Sequence, residues 1–183
     1  MNMNHIEQLF ENLNSKDDTI RYSSFQELMA MTEEKVNWLY DYWSDLVSKL
    51  QSENSYQRSI GLMLIANLSK SDSENYSSLV LDSFFNHFND EKFITSRQCI
   101  QCVWKLAFNN DENKKRIIEE LKNTFFNNIH LTTHSNLIKQ DVISSLKNIS
   151  KVTNDIELLV MINQIIECEN DEKIKKSLKK LLK

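Results

Sequence analysis

Glycine and proline are almost missing from this 183-residue chain, which contains one Gly and no Pro. Tight hairpins and phosphate-binding loops depend on glycine because it adopts positive φ without strain. This scarcity argues against an all-β domain, a P-loop and a dinucleotide-binding fingerprint. A chain of this length fits one domain, with a core large enough to be stable without disulfides or metals.

Cysteine is also scarce, and the three thiols form an odd set. Secreted scaffolds use dense, even sets of cysteines, so the count favours reduced thiols in a reducing compartment. No basic segment followed by an apolar one opens the chain, which predicts no secretory leader. The longest apolar run, 158–162, is far shorter than the roughly 20 residues that span a bilayer. We therefore expect a soluble, cytoplasmic protein.

Apolar residues recur at helical spacing along nearly the whole chain, and short polar breaks rich in Asn, Asp and Ser separate the segments. The pattern predicts an all-α structure without strands. Thr32 is expected to cap the N-terminus of the third helix, with Val36, Leu39 and Trp43 facing inward. The predicted helices cover roughly 4–14, 17–31, 32–51, 53–68, 73–88, 90–108, 114–128, 136–151, 155–169 and 171–183.

The long helices come in pairs, and the first helix of each pair opens on a matching pattern. The register starts at Arg21, Arg58, Ser96, Lys139 and Lys175, at intervals of 37, 38, 43 and 36 residues. Small or apolar residues follow at +3, +4 and +7 in the first four copies, and the fifth copy is partial. Intervals of this size indicate a stack of helical repeats, in which neighbouring pairs cover each other's apolar faces.

A resemblance to HEAT repeats lies in four segments, DDTIRYSSFQEL, NSYQRSIGLMLIANL, SNLIKQDVISSLKNI and DEKIKKSLKKLL. It covers about residues 15–183 and departs from the family in lacking the usual proline. The resemblance implies a right-handed α-solenoid of antiparallel helix pairs, a HEAT-like or armadillo-type superhelix. It also implies that first helices lie on the convex side and second helices line a concave, partner-binding side. In this single domain, 1–14 would form an N-terminal cap, 15–169 four helix pairs and 170–183 a Lys-rich C-terminal cap.

Two of the predicted helices have unusual surfaces. The helix at 155–169 is apolar over more than half its circumference, so we expect its neighbours to enclose it. The last helix carries Ile174, Leu178, Leu181 and Leu182 on one side and lysines around the rest. A terminal cap with a solvated face is the favoured interpretation, and a partner-binding or membrane-touching amphipathic helix is the alternative.

Motifs for metal or redox chemistry are weak. Cys99 and Cys102 form a CxxC, but no strand precedes it and two further zinc ligands at suitable spacing are missing. His130 and His134 form an HxxxH in a predicted loop, while His87 is isolated and expected at the surface or the edge of an apolar stripe. Two small buried hydrophobes are therefore the favoured interpretation of the cysteines. We expect no metal and no cofactor.

Catalytic motifs are missing as well. Carboxylate pairs fall on helical faces where solvation explains them, and no serine lies in a GxSxG elbow. DNA alkylation repair glycosylases are HEAT-like and place an Asp one turn after a Trp. Here the residues four positions after the three tryptophans are Tyr42, Val47 and Phe108. The sequence therefore predicts a protein that is not an enzyme.

Trp38 and Tyr42 stand about 100° from the centre of the apolar stripe of the third helix. They could form a contact hot spot, since Trp and Tyr dominate such sites. They could equally pack against the N-terminal helix, which is favoured for Trp38 and left open for Tyr42.

Formal charge separates the two sets of helices, although the net charge is only −4. The second helices (32–51, 73–88, 114–128, 155–169) carry −6 together, and the first helices carry +5. We therefore predict a non-catalytic interaction module whose acidic concave face binds a basic protein. A toxin-neutralising immunity protein or inhibitor and a HEAT-like nucleic-acid-binding or DNA alkylation repair protein are the alternatives, and no membrane partner is expected. The predicted partner-binding residues are Asp41, Tyr42, Asp45, Asp82 and Glu157.

Overall fold

A computed structural model of the protein describes residues 3–127 and 134–183. Every element in these two ranges is helical, which confirms the predicted all-α solenoid class. Short 3-10 helices at Tyr40–Tyr42, Ser69–Ser71, Tyr76–Val80 and Val103–Phe108 precede or extend the α-helices. The α-helices are α1 (Met3–Asn12), α2 (Asp18–Met31), α3 (Trp43–Leu50), α4 (Ser55–Leu68), α5 (Leu81–His87), α6 (Phe93–Cys102), α7 (Asp111–Asn127), α8 (Ser135–Thr153), α9 (Ile156–Glu167) and α10 (Glu172–Leu181).

The helices form two rows. The first-helix row consists of α2, α4, α6, α8 and α10, and each of these helices contacts the next one along the stack. The second-helix row consists of α3, α5, α7 and α9, with α3 packed on α4 and both α7 and α9 packed on α8. The predicted register is visible in the core, because the +7 residues Leu28, Ile65, Val103 and Leu146 are fully buried.

Buried ion pairs explain why the first helices open on a basic residue. The Nε and Nη2 groups of Arg58 donate to the two carboxylate oxygens of Asp90, at 2.7 and 2.8 Å. Arg97 binds Asp141 in the same two-pronged way, at 2.6 and 3.0 Å. Lys139 of α8 donates to the carboxylate of Glu169, which lies three residues before the start of α10. These pairs tie α4 to the segment before α6, α6 to α8, and α8 to the segment before α10, whereas Arg21 pairs with Asp18 of its own helix.

Aspartate and asparagine cap the starts of helices, and asparagine takes the positions of positive φ that glycine often occupies. The side chains of Asp17, Asn54 and Asp171 accept hydrogen bonds from backbone N–H groups in the first turns of α2, α4 and α10. Asn75 and Asn154 adopt positive φ, at 62° and 51°. Asparagine tolerates this conformation better than other non-glycine residues. The near absence of glycine therefore leaves the turns intact.

The predicted start of the third helix is wrong. Thr32 ends α2 instead of opening a new helix, and its hydroxyl donates to the carbonyl of Leu28 at 2.8 Å. The chain from 33 to 39 is not helical. Hydrogen bonds from the next repeat hold this segment in place. The hydroxyl of Ser71 accepts a hydrogen bond from the N–H of Val36, and Lys70 donates to the carbonyl of Glu33.

The expectation that neighbours enclose the 155–169 helix is also wrong in part. Ile156 is 75% exposed and Val160 is 52% exposed on α9, although Ile162 and Ile166 are fully buried. The helix α10 contacts α8 and α9, buries Leu178 and exposes most of its lysines. No helix in the described part of the chain is long and apolar enough to cross a membrane.

Candidate functional site

A groove of about 800 Å3 runs across the first-helix row from α2 over α4 to the N-terminal end of α6. Buried and half-buried side chains of Phe25, Ile60 and Met63 form its apolar floor. Glu91 and Lys92 are the charged residues in its lining. A concave, mostly apolar surface with few charges is the usual form of a binding site.

Exposed apolar side chains rim this groove. Tyr22 is 54% exposed, Tyr56 is 40% exposed and Ile94 is 68% exposed. The guanidinium of Arg21 lies over the Tyr56 ring, 4.7 Å from its centre, which holds the ring in place. Oriented aromatic rings with a free face are typical anchors for protein partners.

The groove continues into a polar region through Met63 and Gln98, which line both parts. There the amide of Asn67 donates to the hydroxyl of Thr32 at 3.2 Å, and Lys105 donates to the Asn67 amide oxygen. Burial lowers the pKa of Lys105, and the neighbouring positive charge of Lys70 lowers it further, against the raising effect of Cys102 and Glu33. The polar region is therefore fixed by hydrogen bonds and carries a partly desolvated cation.

Asp41, Tyr42 and Asp45 lie together on the second-helix row, in the 3-10 turn before α3 and in its first turn. Both carboxylates are exposed, and Tyr42 is half-buried. The Tyr42 ring stacks on Phe10 of α1, with ring centres 4.0 Å apart and planes within 6°. Burial raises the pKa of Tyr42, and the negative charges of Glu7, Asp41 and Asp45 raise it further. This surface is therefore acidic.

The other two predicted residues occupy different elements. Asp82 on α5 forms an ion pair with Arg116 of α7, so a local cation balances its charge. Glu157 lies exposed in the first turn of α9. The structure thus places three of the five predicted residues on one continuous stretch and the others on separate helices.

The remaining candidates from the sequence are structural. Trp38 is 3% exposed and meets Phe10 edge to face at 5.8 Å, which confirms its packing against the N-terminal helix. Cys99 and Cys102 are buried, and burial raises the pKa of Cys102 to about 12. Such a thiol stays protonated and unreactive at neutral pH.

The histidines in the described part of the chain take part in packing and hydrogen bonds. His87 is buried, whereas the surface or the edge of an apolar stripe is expected for it, and its two ring nitrogens lie 2.6 and 3.0 Å from the carbonyl oxygens of Ser83 and Leu50. His134 packs beside Phe93, and His130 lies outside the described residues. Within 3–127 and 134–183, no three His, Cys, Asp or Glu side chains are close enough together to hold a metal ion.

The groove was missed from the sequence, although one pattern pointed to it. Tyr56 and Ile94 both stand two residues before the start of a repeat, outside the buried stripe of their helices. An apolar residue recurring at one off-stripe position predicts a shared exposed surface. The resemblance implies a partner-binding side lined by the second helices, whereas the groove lies on the first-helix row.

Comparisons with known proteins give a fold and no family. No protein-family model matches the chain, and no curated protein is significantly similar to it. Among solved structures, an engineered protein is 16% identical with a TM-score of 0.58, over 98% of this chain and 78% of that one. A designed armadillo repeat protein is 14% identical with a TM-score of 0.55, over 97% and 98% of the two chains. A second designed armadillo repeat protein, in complex with the peptide (KR)4, is 13% identical with a TM-score of 0.50 over the same shares. At these identities the likeness shows a helical repeat solenoid.

Proposed function

We propose that this chain is a non-catalytic repeat module that binds a protein partner in the groove across α2, α4 and α6. The observation that carries the proposal is the apolar groove of about 800 Å3 with Tyr22, Tyr56 and Ile94 exposed on its rim. Large exposed apolar surfaces are uncommon on isolated soluble domains and mark interaction sites. The two designed armadillo repeat proteins share the fold, and one of them holds a peptide.

Capture from the native lysate tests this proposal. The immobilised wild-type protein is compared with a Tyr22→Ala/Tyr56→Ala variant, and bound proteins are quantified by mass spectrometry. A specific partner should be lost or strongly reduced in the variant, because aromatic anchors commonly contribute about 2 kcal/mol or more each. Recovery of every bound protein at the wild-type level would contradict the proposal.

A matched control keeps this experiment specific. Leu79 is 77% exposed on the 3-10 turn before α5, away from the groove, so Leu79→Ala removes exposed apolar surface elsewhere. This control should retain the partner. Circular dichroism melting of all three proteins shows whether any loss of binding reflects unfolding.

A second candidate is a basic partner bound by the acidic surface of Asp41, Tyr42 and Asp45, with Asp82 and Glu157 contributing. The exposure of both carboxylates on either side of a stacked tyrosine favours it. A toxin-neutralising inhibitor that covers a basic effector is the sharper form of this candidate. The (KR)4 peptide bound by one structural neighbour is a basic ligand of that neighbour.

Charge reversal separates the two surfaces. Asp41→Lys/Asp45→Lys should release a basic partner, whereas the Tyr22→Ala/Tyr56→Ala variant should keep it. Glu34→Lys/Glu53→Lys changes the net charge equally at two other exposed residues and serves as the control. Equal recovery of the partner by the charge-reversed variant and by this control would contradict the acidic-surface candidate, and it would not affect the groove proposal.

A further inference from the structure

A second cleft, of about 370 Å3, lies at the C-terminal end of α4 and touches the polar region of the groove through Lys105. Three lysines line it, namely Lys35, Lys70 and Lys105, together with serines of the 69–73 segment. The groove, its polar region and this lysine cleft therefore form a continuous surface over the first-helix row.

Within the described residues no ion pair neutralises the lysines of the cleft, although the negative charge of Glu33 acts on Lys105. Lys70 donates to the backbone carbonyl of Glu33 at 2.6 Å, and Lys105 donates to the amide oxygen of Asn67. Both acceptors are neutral, and in 3–127 and 134–183 no ion pair involves either ammonium group. A carboxylate would bind such a lysine more strongly than these neutral acceptors do, because hydrogen bonds between two charged groups are stronger than those to neutral groups.

The carboxylate that lines the same cleft is already engaged. Asp72 accepts hydrogen bonds from the hydroxyl of Tyr40 at 3.0 Å and from the N–H groups of Tyr76 and Ser77 at 2.9 and 2.7 Å. It fixes the turn before α5 and forms no ion pair with a lysine among the described residues, so the cleft lining contains three lysines and one carboxylate. The cleft thus presents an excess of positive charge next to an apolar groove.

We propose that the groove and the lysine cleft form one docking surface for an acidic protein segment, whose apolar side chains lie against Tyr22, Tyr56 and Ile94 and whose carboxylates pair with Lys70 and Lys105. This inference rests on the proposed function and adds the chemistry of the partner. The lysines of the cleft indicate that the partner segment is negatively charged, and the apolar groove indicates that the segment also contains apolar side chains.

A protein segment fits this surface better than a nucleic acid does. Phosphates repeat along a strand and need a series of cations along the whole path. Here the lysines gather at one end, while the groove itself contains Glu91 beside Lys92 and an otherwise uncharged lining. Charge at one end and apolar surface at the other match a peptide whose acidic and apolar residues are segregated.

Three fluorescein-labelled peptides of equal length test the assignment. They share the same leucine and phenylalanine positions and carry Glu, Lys or Ser at the remaining ones, with the Glu residues gathered toward one end. Fluorescence anisotropy with the full chain should show the tightest binding for the Glu peptide, weakening as salt is raised. A duplex DNA oligonucleotide serves as competitor and should not displace the Glu peptide.

Neutralising the lysines locates the effect. Lys70→Gln/Lys105→Gln retains side-chain N–H donors and should weaken binding of the Glu peptide by roughly three- to tenfold, as expected for two partly exposed ion pairs. Lys176→Gln/Lys180→Gln makes the same charge change on α10, where both residues are exposed, and should have no effect. The Ser peptide should bind the wild type and the Lys70→Gln/Lys105→Gln variant equally.

Several outcomes would overturn this inference. The inference would be overturned if the Lys or Ser peptide bound as tightly as the Glu peptide or more tightly, or if the Glu peptide did not bind. It would also be overturned if DNA displaced the Glu peptide, or if both lysine variants weakened binding equally. A partner lost from the Tyr22→Ala/Tyr56→Ala variant but found to bind with a basic segment would refute the acidic assignment alone. A partner whose binding is unchanged in the Tyr22→Ala/Tyr56→Ala variant would instead refute the proposed function.

Discussion

At the scale of single residues, the pair of Arg58 and Asp90 shows how the chain stabilises its repeats. The Asp90 side chain is 4% exposed. Burial on its own would raise the pKa of Asp90, but hydrogen bonds from Arg58 and from the N–H of Lys92 outweigh it, so the pKa lies below its ordinary value. The carboxylate is therefore ionised in the folded protein at any pH above its lowered pKa.

Asp90→Asn is expected to lower the free energy of unfolding by roughly 3 kcal/mol at neutral pH, because it leaves a buried guanidinium with only the exposed carboxylate of Glu91, 3.6 Å away, as counter-charge. Asp18→Asn is the matched control, since Asp18 also pairs with an arginine but has a side chain that is 87% exposed. An exposed pair contributes less than about 1 kcal/mol. Urea denaturation of the three proteins measures both differences.

The same variant predicts a pH dependence. A lowered pKa in the folded state stabilises the fold fully above the unfolded-state value of about 3.9, and this contribution is lost as the pH falls toward the folded-state value. The gap in Tm between the wild type and Asp90→Asn should therefore be constant from pH 7 to 5 and should narrow below about pH 4. A gap that widens on acidification would show that Asp90 is not held ionised by Arg58.

Gly61, the single glycine of the chain, lies where α4 approaches α3. A Cβ atom placed there would be 3.0 Å from Cβ of Lys49 and 3.1 Å from the carbonyl oxygen of Leu46. Gly61→Leu should lower stability by about 1–3 kcal/mol through overpacking. Met63→Leu two residues later conserves volume and should cost less than about 1.5 kcal/mol by the same denaturation assay. Equal stability of the two variants would mean that the helices separate freely.

At the scale of elements, the sequence predicted where helices exist better than where they begin. The 3.6-residue period placed α2, α4, α8 and α10 to within a few residues, because each buries one continuous stripe. It failed at 32–39, where the apolar spacing continues but the chain is not helical. Contacts from Lys70 and Ser71, more than thirty positions away, fix that segment, and periodicity within one segment contains no information about them.

The helix α10 buries one side chain fully, Leu178, and packs the half-buried Ile174, Leu181 and Leu182 against the core. Leu178→Ala should cost about 2–5 kcal/mol locally, through lost burial and the cavity that remains. Because each repeat contacts only its neighbours, the loss should stay at this end of the stack. Hydrogen exchange should show faster exchange in α10 and unchanged protection in α4. Lys176→Ala, at an exposed position of the same helix, is the control, and uniform loss of protection would contradict this account.

At the scale of the whole molecule, the repeat register predicted the class of fold but did not predict the groove. The acidic surface was visible in the sequence because charge is read directly from residue types. The groove depends on how Tyr22, Tyr56 and Ile94, on three different helices, come to rim one surface. That arrangement is set by the packing of α2 on α4 and of α4 on α6, which no single helix specifies.

The difference in burial among the three thiols makes the integrity of the stack measurable. Cys99 and Cys102 lie buried on α6, within the first-helix row, whereas Cys168 is exposed. Burial also raises the pKa of Cys99 well above its ordinary value, so neither buried thiol offers a thiolate at pH 7. N-ethylmaleimide should therefore modify Cys168 rapidly in native buffer, and mass spectrometry should find Cys99 and Cys102 unmodified.

A urea titration completes this test. Modification of Cys99 and Cys102 should rise only with the loss of helical circular dichroism, because reagent reaches them when α4 and α6 separate. Cys168→Ser should remove the fast reaction and leave the slow one unchanged. If Cys99 or Cys102 reacts as fast as Cys168 without urea, the packing between α4 and α6 opens far more readily than these contacts imply. The groove across the same two helices could then not serve as a preformed docking surface.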